Sequence, residues 1–148
     1  MKSMPKYMYA LVDLLTMYIE RKVDHFTLQT YGGNYINGPY VQGLQEHDNM
    51  LLIEVTSNKF LEPQLSIEAQ HKLRFLGWNL FVPDYLPNYA RLINQQEKSP
   101  RQIAEIMVKP LHFVYGVDHT FRFEIAPRLD EAETLIQQIG LKVDAQRY

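Results

Sequence analysis

The sequence contains no cysteine among its 148 residues. Disulfide bonds and thiol catalysis are therefore excluded, and the composition suits a reducing compartment. No apolar run approaches the roughly 18 residues that a membrane span needs. The apolar stretch near the N-terminus is interrupted by Asp13 and Glu20, and no small-residue cleavage site follows it, so it does not resemble a signal peptide. We expect a cytoplasmic protein that does not bind a membrane.

Neither sign of charge dominates the chain. Fifteen Lys and Arg residues stand against 17 Asp and Glu residues, which gives a net charge of -2 without any basic block. Nucleic-acid binding usually needs a basic patch that contacts phosphates, so nucleic acid is not an expected partner. The hydrophobic fraction of 46% is typical of soluble globular proteins. A chain of this length fits one domain, and we predict a single domain over residues 1–148.

Recognisable catalytic and metal-binding motifs are also missing. The five histidines never stand at the helical spacing of a zinc site: His25, His47, His71, His112 and His119. His47 lies between Glu46 and Asp48, but we interpret these three residues as a polar hairpin turn rather than a metal site. No serine lies in a nucleophile elbow, and the glycines of "YGGNYING" lack the lysine of a phosphate loop. The sequence therefore predicts no metal, no cofactor and no enzymatic activity.

Apolar periodicity outlines the first half of the fold. From Met8 to Val23, apolar residues recur at steps of three and four, which predicts an amphipathic helix. "HFTLQTY" alternates as a strand with one covered face, and "YVQGLQEHDNMLLIEVT" predicts two strands joined by a polar turn. A second helix is expected to begin at Ser66 as its N-cap and to end at Gly77. Its predicted buried stripe consists of Ala69, Leu73 and Leu76.

The second half contains three further strands and two helices. Pro83 and Pro87 restrict strand pairing to short segments, Asn79 to Val82 and Tyr89 to Ile93. "SPRQ" at residues 99–102 predicts a helix start with a capping box, and Pro110 is expected to kink this helix or split it near Lys109. "TFRFEI" alternates as a strand. Asp130 and Glu133 then predict an acidic capping box for a last helix.

The predicted element order is α-β-β-β-α-β-β-α, followed by a C-terminal β-α pair. Strands grouped between helices are typical of the α+β class, with helices packed on an antiparallel sheet. Within the single domain we distinguish a core, residues 1–118, from a β-α extension, residues 119–148.

Aromatic residues are abundant, with ten Tyr, seven Phe and one Trp. They are concentrated in "LRFLGWNLFVPDYLPNYARLI", residues 73–93. Because a residue that follows a helix-ending glycine often folds back over the helix end, Trp78 is predicted to anchor a turn. The residues assigned to structural turns are Gly77, Trp78, Pro87 and Asn88. Tyrosine and phenylalanine side chains bury a large area at small entropic cost, and the predicted peptide contacts are Tyr40, Phe81, Tyr85 and Tyr89.

Several short motifs occur in the order and spacing of a known family. They are "YVQ" at 40–42, "SNKFL" at 57–61, "LSIEAQHKLRFLGW" at 65–78, "PNY" at 87–89 and "YGV" at 115–117. Over about residues 40–118 the chain resembles the TY-Chap domain, a group of peptide-binding chaperones that are similar to class I type III secretion chaperones and YbjN proteins. The resemblance implies the fold order given above. It also implies an adaptor that holds an extended client segment, and it leaves homodimerisation open.

Two other functions remain open from the sequence. An enzyme or small-ligand protein would need a pocket assembled from distant residues such as Tyr31, Tyr35, His112 and Tyr115. A structural subunit would act by assembly alone, with residues 119–148 as its docking element.

Overall fold

The computed structural model describes residues 4–58, 60–80, 88–139 and 143–145. The elements follow in the order α1 Lys6–Glu20, β1 His25–Tyr31, β2 Tyr40–Gln45, β3 Met50–Val55, α2 Ile67–Phe75, β4 Asn79–Leu80, β5 Tyr89–Asn94, α3 Pro100–Phe113, β6 Arg122–Ala126, α4 Asp130–Ile139 and β7 Val143–Ala145. The predicted α+β class and order are confirmed. The last strand, β7, was not predicted.

A single seven-stranded sheet organises these elements, in the order β4-β5-β3-β2-β1-β6-β7. All neighbouring pairs are antiparallel except β6 and β7, which are parallel. A parallel pair needs a crossover connection, and α4 supplies it. β6 pairs with β1 over the full length of β6, from Thr27 opposite Ala126 to Tyr31 opposite Arg122. The strand that follows residue 118 is therefore internal to the sheet.

Helices α1 and α3 pack against each other on one face of the sheet. The alternation predicted for β1 is confirmed, since Phe26 and Leu28 are buried while His25 is exposed. Phe123 and Ile125 of β6 belong to the same buried cluster. Because side chains alternate between the two faces of a strand, the intervening positions of each strand lie on the opposite face.

The predicted helix starts are confirmed for α2 and α3. The Ser66 hydroxyl accepts a hydrogen bond from the Ala69 amide at 3.1 Å. Ser99 and Gln102 form the reciprocal capping box, with bonds of 3.2 and 2.9 Å. The cap prediction at Asp130 was misplaced, because α4 already begins at this residue.

One of the two alternatives for α3 was wrong, and so was one residue assigned to α2. α3 is not split near Lys109, because it continues through Pro110 to Phe113. Leu76 does not belong to a buried stripe, since it lies after the end of α2 and is 40% exposed. Only Leu73 of α2 is buried, so this helix contacts the core along a narrow line.

Candidate functional site

The turn after α2 is held by a glycine and the buried tryptophan. Gly77 has a φ of +96°, which a residue with a side chain rarely adopts. The Trp78 amide donates to the Leu73 carbonyl at 3.0 Å, and its side chain is 1% exposed. The Arg91 guanidinium lies 6.0 Å from the Trp78 ring centroid and donates to the Leu76 carbonyl at 3.2 Å. These contacts place α2 against β5.

A polar network lies on the sheet face opposite α1 and α3. Its centre is the Glu54 carboxylate, which is only 3% exposed. Its Oε2 accepts hydrogen bonds from the Gln42 and Asn88 side-chain amides, each at 2.9 Å. The Asn88 side chain also bonds the Tyr40 hydroxyl and accepts from the Ser57 amide at 3.3 Å. A buried carboxylate needs such donors, because an unpaired buried charge is strongly destabilising.

The structure brings Tyr40 and Asn88 together, although the sequence assigned them to different roles. Burial raises the pKa of the Tyr40 phenol, so this group stays a neutral hydrogen-bond partner of Asn88. Tyr89 is 3% exposed, and its hydroxyl lies 3.4 Å from Gln70 Oε1. Phe81, Tyr85 and Pro87 lie outside the described residues.

The network gives a pH-dependent test with the Asn88→Asp variant. This change keeps the shape of the side chain and places a second carboxylate at hydrogen-bond distance from Glu54. We expect the variant to lose about 2–3 kcal/mol of stability near neutral pH. Two adjacent carboxylates share a proton at a pKa above their usual value of about 4. A raised folded-state pKa means that the lost stability returns as the pH falls towards about 5.

Urea unfolding at neutral and mildly acidic pH measures this effect. Asn94→Asp, a change of the same chemistry on β5, is the matched control, because Asn94 is half-buried and, within the described part of the chain, its side chain bonds only the Gln96 amide. Equal stability of Asn88→Asp and wild type at neutral pH would contradict the arrangement.

An open groove lies between α2 and the end of α3. We call it the α2–α3 groove; it has a volume of about 570 Å³ and is lined by Glu68, His71, Lys72, Phe75, Leu76, Phe113 and Val114. The five α2-side residues lie on one face, since they follow each other at steps of one, three and four along a helix of 3.6 residues per turn. Leu73 occupies the opposite, buried side of the helix.

Two apolar residues of α2 are unusually exposed, and one of them, Phe75, lines the groove. Phe75 is 91% exposed, and Ile67 on the same helix is 71% exposed. Phe113 and Val114 are half-buried and pack against the core, so they form the floor. Contiguous exposed apolar surface on a soluble protein commonly marks an interaction site. A groove of this kind can accept apolar side chains of a partner.

The sequence left open a ligand pocket built from distant residues, and the structure brings only some of those residues together. The Tyr35 hydroxyl donates to the Tyr115 carbonyl at 2.6 Å. Tyr115 itself is buried, its hydroxyl donates to the Thr56 carbonyl, and burial raises its pKa well above the usual value. His112 Nδ1 lies 2.9 Å from the Val117 carbonyl oxygen and 2.8 Å from the Tyr7 hydroxyl. Tyr31 is exposed, and its hydroxyl donates a hydrogen bond to the Glu124 carboxylate.

The described residues contain no group of three or more His, Asp or Glu side chains that could hold a metal ion. In the same part of the chain, no helix is both long enough and apolar enough to cross a membrane.

Sequence reasoning missed the groove residues Phe75, Phe113 and Val114. The available signal was in α2, where Ile67 and Phe75 do not share a face with Leu73. A helix whose apolar residues point in more than one direction either is buried on several sides or exposes some of them. The sequence alone does not separate these two outcomes.

A family model of known proteins matches most of the chain. The family model TY-Chap3, described as T3SS (YopN, CesT) and YbjN peptide-binding chaperone 3, matches residues 9–125, well over half of the chain. This range extends the motif resemblance at 40–118 in both directions and includes most of β6. No curated protein and no solved structure matches the chain.

Proposed function

The chain belongs to the TY-Chap3 family of peptide-binding chaperones, and on that premise we propose that it holds a segment of a client protein in the α2–α3 groove. The observation that carries this proposal is the exposure of Phe75, at 91%, beside the apolar floor of Phe113 and Val114. Burying such a side chain against a client contributes about 1.5–3 kcal/mol before the entropic cost of binding. A few such contacts give a binding surface for a short, unfolded segment.

The aromatic residues predicted as contacts define a second region of the same proposal. Tyr40 reaches the surface beside the Glu54 network, whereas Tyr89 offers 3% of its surface in the free protein. We propose that a long client segment contacts Tyr40 together with Phe81 and Tyr85, in addition to the groove. Sheet-forming proteins commonly recognise extended peptides through exposed strands and side-chain pockets.

The remaining parts of the proposal concern the setting in which the protein acts. We propose a non-enzymatic adaptor in the cytoplasm, because the sequence has no cysteine and no catalytic motif. Its partner is a client protein or peptide, with neither nucleic acid nor a membrane as a ligand. A homodimer is compatible with this function, as is the single-domain organisation of residues 1–148.

The Phe75→Ser variant tests the proposed site. We expect it to lose a client that wild-type protein retains in a pull-down from the native lysate, because the variant removes the most exposed apolar side chain of the groove. The matched control is Leu92→Ser, which removes a 56% exposed leucine from β5. Leu92 pairs with Leu52 on the sheet face opposite α1 and α3, away from the groove.

A client that is lost by Phe75→Ser and retained by Leu92→Ser locates the binding surface. If Phe75→Ser retains every protein that wild type captures, the proposed binding site in the α2–α3 groove is contradicted. Circular dichroism of both variants establishes that each is folded before the pull-down is interpreted.

A further inference from the structure

Lys72, a cation on the rim of the α2–α3 groove, has no ion-pair partner in the part of the chain that the structure describes. Lys72 and His71 line the groove together with a single acid, Glu68. Among the described residues, none of these three side chains takes part in an ion pair or a hydrogen bond. Glu68 and Lys72 stand four residues apart, a spacing that permits a helical ion pair, yet they do not pair. The Lys72 ammonium is therefore available to a ligand.

The position of Lys72 is not explained by helix stability alone. Lys72 and Arg74 both lie in the last turn of α2, where cations interact favourably with the helix dipole. Only Lys72 also lines the groove. It stands three and four residues before Phe75 and Leu76, so its charge borders the apolar surface that a client would cover.

Charge complementarity then limits which segments fit. A client that places a basic side chain at this rim brings two cations together, and like charges at an interface disfavour the wrong partner. A carboxylate at the same place pairs with Lys72, and its attraction grows as the apolar contacts exclude water. The groove volume of about 570 Å³ matches the clefts of about 300–1,000 Å³ that bind small ligands. It suits a few side chains of one segment rather than a folded domain.

We propose that the α2–α3 groove selects acidic apolar segments, in which large apolar side chains cover Phe75 and Phe113 while an Asp or Glu carboxylate pairs with Lys72. This inference rests on the proposed peptide-binding function and adds the chemical class of the client segment. Glu68, the acid of the lining, stands seven residues and about two helical turns before Phe75, whereas Lys72 stands one turn away, so the charge next to the apolar contact is positive.

A charge-reversal experiment tests the selection. A phage-displayed library of short random peptides is panned against the full chain and against the Lys72→Glu, Phe75→Ser and Lys98→Glu variants. Lys98→Glu is the matched control, because it makes the same charge change in the exposed turn between β5 and α3. We expect wild type and Lys98→Glu to enrich peptides that combine large apolar residues with Asp or Glu. Lys72→Glu should instead enrich peptides with Lys or Arg.

Affinity measurements by fluorescence anisotropy complete the test. The acidic peptide that wild type binds best should bind Lys72→Glu about fivefold more weakly, and added salt should weaken its binding to wild type. A Lys72→Gln variant, which removes the charge without reversing it at the helix end, should lose the acidic preference if Lys72→Glu fails to fold.

The outcomes separate the two proposals. If no enriched peptide depends on Phe75, the proposed function itself is overturned. If Phe75-dependent peptides are enriched without an acidic preference, or if they bind Lys72→Glu and Lys72→Gln as well as wild type, only the charge selection is overturned.

Discussion

Trp78→Ala should lose about 3–5 kcal/mol of the free energy of unfolding, the range expected for truncating a large buried aromatic side chain. The tryptophan is 1% exposed and belongs to the main buried cluster. Its removal leaves a cavity under the end of α2 and takes away the ring on which Arg91 lies. Because typical domains are stable by only about 5–15 kcal/mol, this single change would remove a large part of the free energy of unfolding.

The matched control is Phe75→Ala, three residues earlier in the chain. Phe75 is 91% exposed, so its truncation should change the stability by no more than about 0.5 kcal/mol. Urea unfolding followed by circular dichroism suits both variants, since Trp78 is the only tryptophan and its variant has no indole fluorescence. Similar losses of stability for the two variants would show that the buried Trp78 side chain contributes no more to the free energy of unfolding than the exposed Phe75 side chain.

Deletion of residues 119–148 should abolish folding. The deletion removes β6, which pairs with β1 inside the sheet. Among the described residues it also removes three large buried apolar side chains: Phe121, Phe123 and Ile125. Each such side chain contributes about 1.5–3 kcal/mol by burial, and the loss of all three with a strand exceeds what a marginally stable domain tolerates.

A chain that ends at Ile139 is the control for this truncation. Of the described elements it lacks only β7, which forms an edge of the sheet, and we expect it to remain folded. Circular dichroism and analytical ultracentrifugation distinguish the outcomes for both chains. A folded chain of residues 1–118 with an altered oligomeric state would instead support the structural-subunit function, in which residues 119–148 act as a docking element.

The local signals of the sequence were reliable where the backbone itself determines the structure. Ser66 and Ser99 cap the helices that they were predicted to cap, because their hydroxyls satisfy amides that no helical carbonyl can reach. The alternation of "HFTLQTY" predicted β1 because successive side chains point to opposite faces.

The same signals were less reliable where a neighbour decides the outcome. Pro110 was expected to kink or split α3, and the split does not occur, because the helix continues to Phe113. Pro110 itself is buried, so packing contributes to the helix at this point, as tertiary contacts often override local propensity. Leu76 was assigned to a buried stripe, and its exposure follows from the end of α2 one residue earlier.

The sequence by itself determined the α+β class, the order of the elements, most helix starts and the family of peptide-binding chaperones. These properties depend on local hydrogen bonding, on periodicity and on short motifs, all of which involve residues that are close together in the sequence. Only the tertiary structure decided that β6 lies inside the sheet, that Glu54 and Asn88 meet, and that Phe75 faces solvent beside Phe113. Each of these facts joins residues 30 or more positions apart, and no local pattern specifies which distant surface will cover a side chain or leave it free.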